Sequence, residues 1–367
     1  MRTDVLILVE DAGAANMAAP LPAALEPFGL STRLVAAGAA TRQLRDLGTP
    51  SEPLDGRSAK ALLADAAPRL VAVGTSEDAD AVGLDLVTAA RALSIPNAGL
   101  VDAPTNATSR FRGRGSATFG HAPDALLVAD AATRSDFVAA GWAASRIEVV
   151  GHPHRDRVRA ERRRLDVEGR ASARARVLPD APADRPVLVL LAEASDGLDP
   201  AQFRRTDDYT LLGRGRGHRR TDIVIEEVLD AAATMVPRPW ILLRPHAKNG
   251  AGEFDGYRAK VGRLGRDETM FDLLYAADLV VGLTTAALDE AALLGRPTLS
   301  VVPRAAEAAW LASAGLTPVA HDRAMLRHML SERIGAAGPR ADDLDRAFPP
   351  GATERAARAL ARLATVA

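Results

Sequence analysis

Short runs of β-branched residues and leucine, each followed by a stretch with helical spacing, dominate this chain and restrict it to few architectures. Val5–Val9, Thr32–Ala36, Leu70–Gly74, Asn97–Val101, Ala125–Val128 and Ile147–Val150 read as strands, with Met17–Phe28, Thr41–Leu47, Ala79–Leu93 and Ala131–Ala140 as helices between them. Near-continuous apolar strands suit a parallel sheet covered on both faces. Strand–helix alternation builds a doubly wound α/β domain. The alternation lapses over Arg155–Arg176, which is rich in arginine, and over the prolines that follow. It resumes with strands at Val187–Leu191, Trp240–Arg244, Leu279–Leu283 and Thr298–Val302. The helices expected there are Asp222–Met235, Thr269–Ala276, Ala286–Leu294, Ala305–Ala314, Ala324–Ile334 and a closing Thr353–Val366.

A length of 367 residues also suggests two domains. The expected fold is therefore α/β, with two Rossmann-like doubly wound domains facing across a cleft. Residues 1–154 would form an acceptor-side domain, 155–186 a basic helix and linker, and 187–348 a nucleotide-binding domain. Residues 349–367 would be a C-terminal helix that could pack back on the first domain. Ligands of such sheets bind beyond the carboxyl ends of the strands, so the loops there hold the candidate residues.

Composition narrows the chemistry. With 46 basic against 47 acidic side chains the net charge is −1, which excludes a uniformly basic nucleic-acid-coating protein. There is no cysteine, hence no disulfide, thiolate metal site or cysteine nucleophile. The apolar run after Met1 is too short for a signal peptide, and no window reaches the length of a membrane span, so a cytoplasmic location is expected.

The richest stretch is Asp278–Pro303: strand, Gly282-Leu283-Thr284-Thr285, helix, Gly295-Arg296-Pro297, strand. Thr284 and Thr285 stand where a strand ends and a helix begins, a place where free N–H groups favour a phosphate. Glu290, about a turn further on, could accept from ribose hydroxyls. The alternative is that the threonines only cap the helix and Glu290 is solvated.

This arrangement, from the Thr-Thr doublet through Glu290-Ala291 and Gly295-Arg296-Pro297 to Pro303, resembles the C-terminal nucleotide-binding signature of GT-B-fold glycosyltransferases. It is also similar to that of their relatives, the non-hydrolysing nucleotide-sugar 2-epimerases. Within the group it looks most like bacterial sialyltransferase-like and capsule-polymer transferases. The resemblance implies that His246, in Arg244-Pro245-His246-Ala247-Lys248, contacts the nucleotide phosphate, although Ala247 stands where the family has proline. Arg244 and Lys248 flank it with positive charge, which supports an anion site on chemical grounds. It also implies that an acid of Glu10-Asp11-Ala12-Gly13-Ala14-Ala15-Asn16 is the base that deprotonates an acceptor hydroxyl, Asp11 first and Glu10 second, although Ala12 separates acid from glycine here. A weak nucleophile such as an alcohol needs such a base. Capping of the first helix by Asp11 or Asn16, with Gly13 in a tight turn, is the competing account.

Three further loops belong to the candidate set. Ser195 and Gly197, after the strand Val187–Leu191, occupy a position that in GT-B proteins approaches donor or acceptor. Asp102 and Asn106, after Asn97–Val101, could bind sugar hydroxyls, with Arg110, Arg112 and Arg114 available for an anion. Gly151-His152-Pro153-His154 resembles the crossing between GT-B domains, with His152 lining the cleft; two histidines without further ligands at metal spacing argue against a metal site. The arginines of 155–176 and of the loop 204–220 could form a basic surface for an anionic acceptor, or be solvated loop and linker.

The function so implied is transfer of a sugar, a nonulosonate among the candidates, from a nucleotide-activated donor to a hydroxyl, without metal or other cofactor. The acceptor could be an anionic or lipid-linked glycan, with peripheral membrane contact; nucleic acid is not expected, and oligomeric state is left open. The alternatives are a nucleotide-sugar epimerase or hydrolase on the same fold, and a non-catalytic nucleotide-sugar-binding or interaction protein. The epimerase or hydrolase reading demands extra acid and base residues facing C2 of the sugar, and the sequence offers no matching acidic and histidine cluster, which ranks it second.

Overall fold

Runs such as VLILV at Val5–Val9 and VLVLL at Val187–Leu191 have no polar face, so each can be stable only with helices on both sides, and every residue of both is buried. The computed structural model describes residues 3–76, 78–103, 106–195, 200–215, 218–307 and 315–365. It divides into two units: residues Met1–Arg157 with Pro349–Ala367, and residues Val158–Phe348.

The first unit holds β1 (Val5–Val9), α1 (Ala12–Ala18), α2 (Leu21–Leu25), β2 (Thr32–Ala36), α3 (Gly38–Asp46), β3 (Glu52–Pro53) and α4 (Ala59–Ala66). It continues with β4 (Leu70–Gly74), α5 (Val82–Ala92), β5 (Asn97–Val101), β6 (Ala125–Val128), α6 (Ala131–Ala139), β7 (Ile147–Val149) and the start of α7 (Pro153–Glu168). The strands form one seven-stranded sheet in the order β3-β2-β1-β4-β5-β6-β7, and every pairing is parallel. The order reverses between β1 and β4, and the crevice beyond their carboxyl ends is where such sheets place ligands.

The second unit takes the rest of α7, then α8 (Arg170–Val177), β8 (Val187–Leu191), α9 (Arg220–Ala233), β9 (Trp240–Arg244), β10 (Arg263–Leu264) and α10 (Met270–Ala276). After these come β11 (Leu279–Gly282), α11 (Ala287–Leu293), β12 (Thr298–Val301), β13 (Val319–Ala320), α12 (Arg323–Arg333) and α13 (Ala341–Ala347). Its parallel sheet runs β10-β9-β8-β11-β12-β13, so its switch point lies between β8 and β11. The last helix, α14 (Ala352–Thr365), buries Ala356, Ala357, Leu360 and Ala364 in the core of the first unit, beside Leu21 and Leu25 of α2.

The two Rossmann-like sheets agree with the fold read from sequence; several local expectations need correction. The single helix expected over Met17–Phe28 is α1, α2 and a 3-10 turn, interrupted at Pro20. Its first turn starts at Ala12, capped by Asp11. Of the helix expected at Ala305–Ala314, residues Ala305–Glu307 form one 3-10 turn and 308–314 lie outside the described residues. The stretch 155–186, expected as a basic helix and linker, supplies Val158, Leu165, Ala173 and Leu178 to the second core. Its arginines are spent nearby: Arg164 and Arg176 on Asp272, Arg170 and Arg174 on Asp278, Arg159 on the Phe348 carbonyl. In the loop before α9, Arg214 pairs with Asp230 and Arg219 with Glu253, while Arg216 and Gly217 lie outside the described residues. The basic surface expected for an anionic acceptor is therefore largely neutralised by the protein itself. Among the described residues no helix is long and apolar enough to cross a membrane.

Candidate functional sites at the strand ends

In the first unit three strand ends meet at the switch point. Glu10 and Asp11 follow β1, Thr75 follows β4, and Asp102 follows β5. Asp11 caps α1, its Oδ1 accepting from the Ala14 amide at 2.7 Å. Gly13 sits against Asp102: a Cβ built there would overlap the Asp102 carboxylate, so glycine is what lets the first turn of α1 approach it. Arg110 is buried and donates through Nη1 to Thr75 Oγ1 at 2.8 Å and to Asp102 Oδ1 at 3.1 Å. Two carboxylates therefore converge, and among the described residues Asp102 is the one paired directly with Arg110. Burial, and then the charge of Asp102, push the Asp11 carboxyl up to about 6 from 3.8, against the opposing bonds from Ala14 and Gly13 and the charge of Arg110. Such an acid exchanges its proton readily near neutral pH.

Glu10, the second candidate base, is committed elsewhere. Its two oxygens accept from the amides of Val82 and Gly83 at 3.0 and 2.9 Å, the first turn of α5. That is a capping role, favoured by the helix dipole. Asn16 accepts from Gln43 Nε2 at 2.8 Å, joining α1 to α3. Asn106 is exposed with a left-handed backbone, φ 61°. His152 stands just before α7 with its Nδ1 buried and without a hydrogen-bond partner among the described residues. Burial, then the charges of Arg155 and His154, hold it well below the ordinary imidazole range, so it is neutral.

In the second unit the loops after β8, β9 and β11 are tied to one another at the switch point. Glu193, after β8, accepts through Oε1 from the Thr284 amide and from Thr284 Oγ1 at 2.6 Å. Its other oxygen accepts from Arg220, which is 7% exposed and also bonds Glu307. Asn249, after β9, donates to the Glu193 carbonyl at 3.2 Å and to Ser195 Oγ at 3.3 Å, while its Oδ1 accepts from the His246 amide at 2.7 Å.

This corrects the expectation for Thr284: its phosphate-binding donors already hold a carboxylate of the protein. Thr285 Oγ1 accepts from the Ala287 amide at 3.3 Å, a capping contact. Arg244 is half-buried and pairs with Glu268 at 2.8 Å; burial holds it below the ordinary guanidinium range despite that partner. His246 and Lys248 are exposed past β9, Glu290 is half-buried on α11, and Gly197 lies outside the described residues.

Sequence reading assigned Asp102 to sugar hydroxyls and missed its apposition to Asp11, and it left Arg220 in a solvated loop. The available signal for the first was positional, since Asp11 and Asp102 each follow a strand of one parallel sheet within a residue or two. For Arg220 the signal was that it opens an apolar helix directly after a polar loop.

No protein-family model matches the chain, and no curated protein matches it by sequence. Solved structures do. The UDP-GlcNAc 2-epimerase of Neisseria meningitidis bound to UDP-GlcNAc superposes over 100% of both chains with a TM-score of 0.63 at 12% identity. The UDP-GlcNAc 2-epimerase of Methanocaldococcus jannaschii covers 98% of this chain and 100% of its own with a TM-score of 0.68 at 13% identity. At such identities the likeness is one of fold, and this chain shares the two-unit α/β fold of those enzymes.

Proposed function

We propose that this chain is an enzyme acting on a nucleotide-linked sugar, and that it inverts or hydrolyses that sugar without a separate acceptor. The observation that carries this reading is the Asp11–Asp102 pair at the switch point of the first sheet. Inverting a carbon requires a proton to be taken from one face and returned to the other; hydrolysis requires a base for water and an acid for the leaving group. Two adjoining carboxylates, with that of Asp11 raised toward neutrality, can serve either reaction. The fold shared with UDP-GlcNAc 2-epimerases supports the nucleotide-sugar class. Within the second unit, His246, Lys248, Thr285 and Glu290 would receive phosphate and ribose; Thr284 would join them only if Glu193 gives way.

Transfer of the sugar, a nonulosonate included, to a hydroxyl is the second reading. It is favoured by the acidity of Asp11 alone, since one base near neutrality suffices to deprotonate an acceptor. UDP-GlcNAc incubated with the protein in deuterium oxide, acceptor absent, separates the two by proton NMR. The first reading expects a new epimer carrying deuterium, or free sugar with UDP. Asp11→Asn and Asp102→Asn should each slow that turnover by about 10²–10⁴-fold. A donor that persists until a hydroxyl acceptor is supplied overturns the first reading for the second. Failure of UDP-GlcNAc, UDP and CMP alike to raise the melting temperature removes both.

A further inference from the structure

At the amino-terminal edge of the second sheet, opposite the strand ends described above, three guanidinium groups gather with too few acceptors. Arg296 directly precedes β12 by one proline, in the tight turn Gly295-Arg296-Pro297, where Gly295 has φ +75°. Its guanidinium lies over the ring of buried Tyr275, 5.4 Å from the centroid, and its Nε is buried without a hydrogen-bond partner among the described residues. No ion pair involves it among those residues.

Arg162, from α7, reaches the same turn. Its Nη1 donates to the Leu293 carbonyl at 3.2 Å, and its Nη2 would lie 2.9 Å from a Cβ built on Gly295. Arg170, from α8, donates to the Ala277 carbonyl at 2.8 Å and pairs with Asp278, yet its own Nε is also buried and unpaired. The acids at hand are committed: Asp278 is shared between Arg170 and Arg174, and Asp166 accepts from the Tyr275 hydroxyl at 2.8 Å while lying 3.6 Å from Arg162.

A half-buried guanidinium with no acceptor is costly, and two like charges beside it add to the cost. Burial, then the charges of Arg170 and Arg162, hold Arg296 below the ordinary guanidinium range. An anion with several oxygens offsets the repulsion, because it brings opposite charge to all three arginines and acceptors to the solvent-facing N–H groups of their guanidinium forks. Arginine is suited to this work through its planar fork of donors. Arg162 and Arg170 keep about a third of their side-chain surface open, which leaves a route of entry.

We propose that Arg296, Arg170 and Arg162, backed by Tyr275, form a binding site for a phosphoryl dianion, separate from the strand-end site and set on the opposite edge of the same sheet. The test is thermal denaturation and titration calorimetry of the full chain with inorganic phosphate and with a phosphomonoester, chloride at equal ionic strength serving as blank. The wild type should show saturable stabilisation by at least one of the two, and His246→Ala with Lys248→Ala should leave it intact. Arg296→Met should weaken binding roughly tenfold or more while leaving the anion-free melting temperature equal or higher, because a repelled, unpaired charge has gone. Arg296→Lys, which keeps the charge but loses the fork, should fall between them and gives a reading if the methionine variant does not fold. Tighter binding of the phosphomonoester assigns the site to a phosphorylated metabolite, and tighter binding of inorganic phosphate assigns it to the free ion. Equal stabilisation of wild type and Arg296→Met, or no saturable effect in the wild type, overturns the proposal.

Discussion

The switch points of the two sheets carry the same ingredients, two carboxylates and a buried arginine, and do opposite things with them. In the second unit Arg220 bonds both Glu193 and Glu307, Arg304 adds a second cation to Glu307, and Thr284 supplies an amide and a hydroxyl to Glu193. Each negative charge there has its own donors. In the first unit Arg110 is divided between Thr75 and Asp102, and Asp11 keeps chiefly the amide of Ala14. The difference lies in the number of donors per carboxylate. It separates a locked structural knot from a pair poised to exchange a proton.

The largest effect that tests this contrast is on stability in the second unit. Arg220→Met leaves two carboxylates, each with only about 15% of its side-chain surface exposed, without their shared cation. Removing one partner of a buried charge network typically costs about 3–5 kcal/mol. Denaturant unfolding should show that loss. A cost below about 1 kcal/mol, the range of an exposed pair, would mean that the knot is not locked, and the contrast with the first unit would dissolve.

The sheets themselves were legible because apolar strands announce their own burial: all ten strands read from sequence match their observed bounds to within a residue, and only β7, β11 and β12 end one residue early. What escaped was short or polar. The strands β3, β10 and β13 have two residues each, too few for any periodicity to register. Helix α4 was missed although Ser58 caps it and Leu62 and Leu63 are buried. At the candidate sites the sequence displayed each residue type but not its partner, because pairings such as Asp11 with Asp102 and Glu193 with Arg220 are made by the parallel register and by no local pattern. Thr284 shows the consequence: its position at a strand end was read correctly, while the carboxylate that fills its donors comes from a loop about ninety residues away in sequence.

A smaller effect sharpens the first unit's side of the comparison. The Asp11 carboxyl is raised from 3.8 to about 6 by burial and by Asp102. Since the folded pKa lies above the unfolded one, bound proton favours the folded chain. That contribution is complete below about pH 3.8 and is lost as the pH rises through about 6. Asp11→Asn cannot titrate and retains a good helix cap. Its stability relative to wild type should therefore improve between about pH 4 and pH 7, by a total of order 1–3 kcal/mol. Asp102→Asn should flatten the same dependence in part, because one of the two causes is gone. A difference independent of pH would show that Asp11 titrates as an ordinary surface carboxylate.

The smallest effect separates neighbours in the chain. Glu10 and Asp11 are adjacent acids at one strand end, yet Glu10 has two amide donors from α5 and Asp11 has a second carboxylate beside it. If donor number decides the role, Glu10→Gln should act through the helix it caps. It should lower stability by roughly 0.5–1 kcal/mol, as expected for a charge lost at a helix amino end. If the proposed function holds, turnover of a nucleotide sugar should fall far less than with Asp11→Asn, because the Asp11–Asp102 pair is untouched. Hydrogen exchange should quicken at Val82 and Gly83, whose amides lose a charged acceptor, and stay unchanged at Ala14. The reverse outcome, a large loss of turnover with those amides still protected, would return the role of base to Glu10 and show that a carboxylate fully supplied with donors can still do the chemistry.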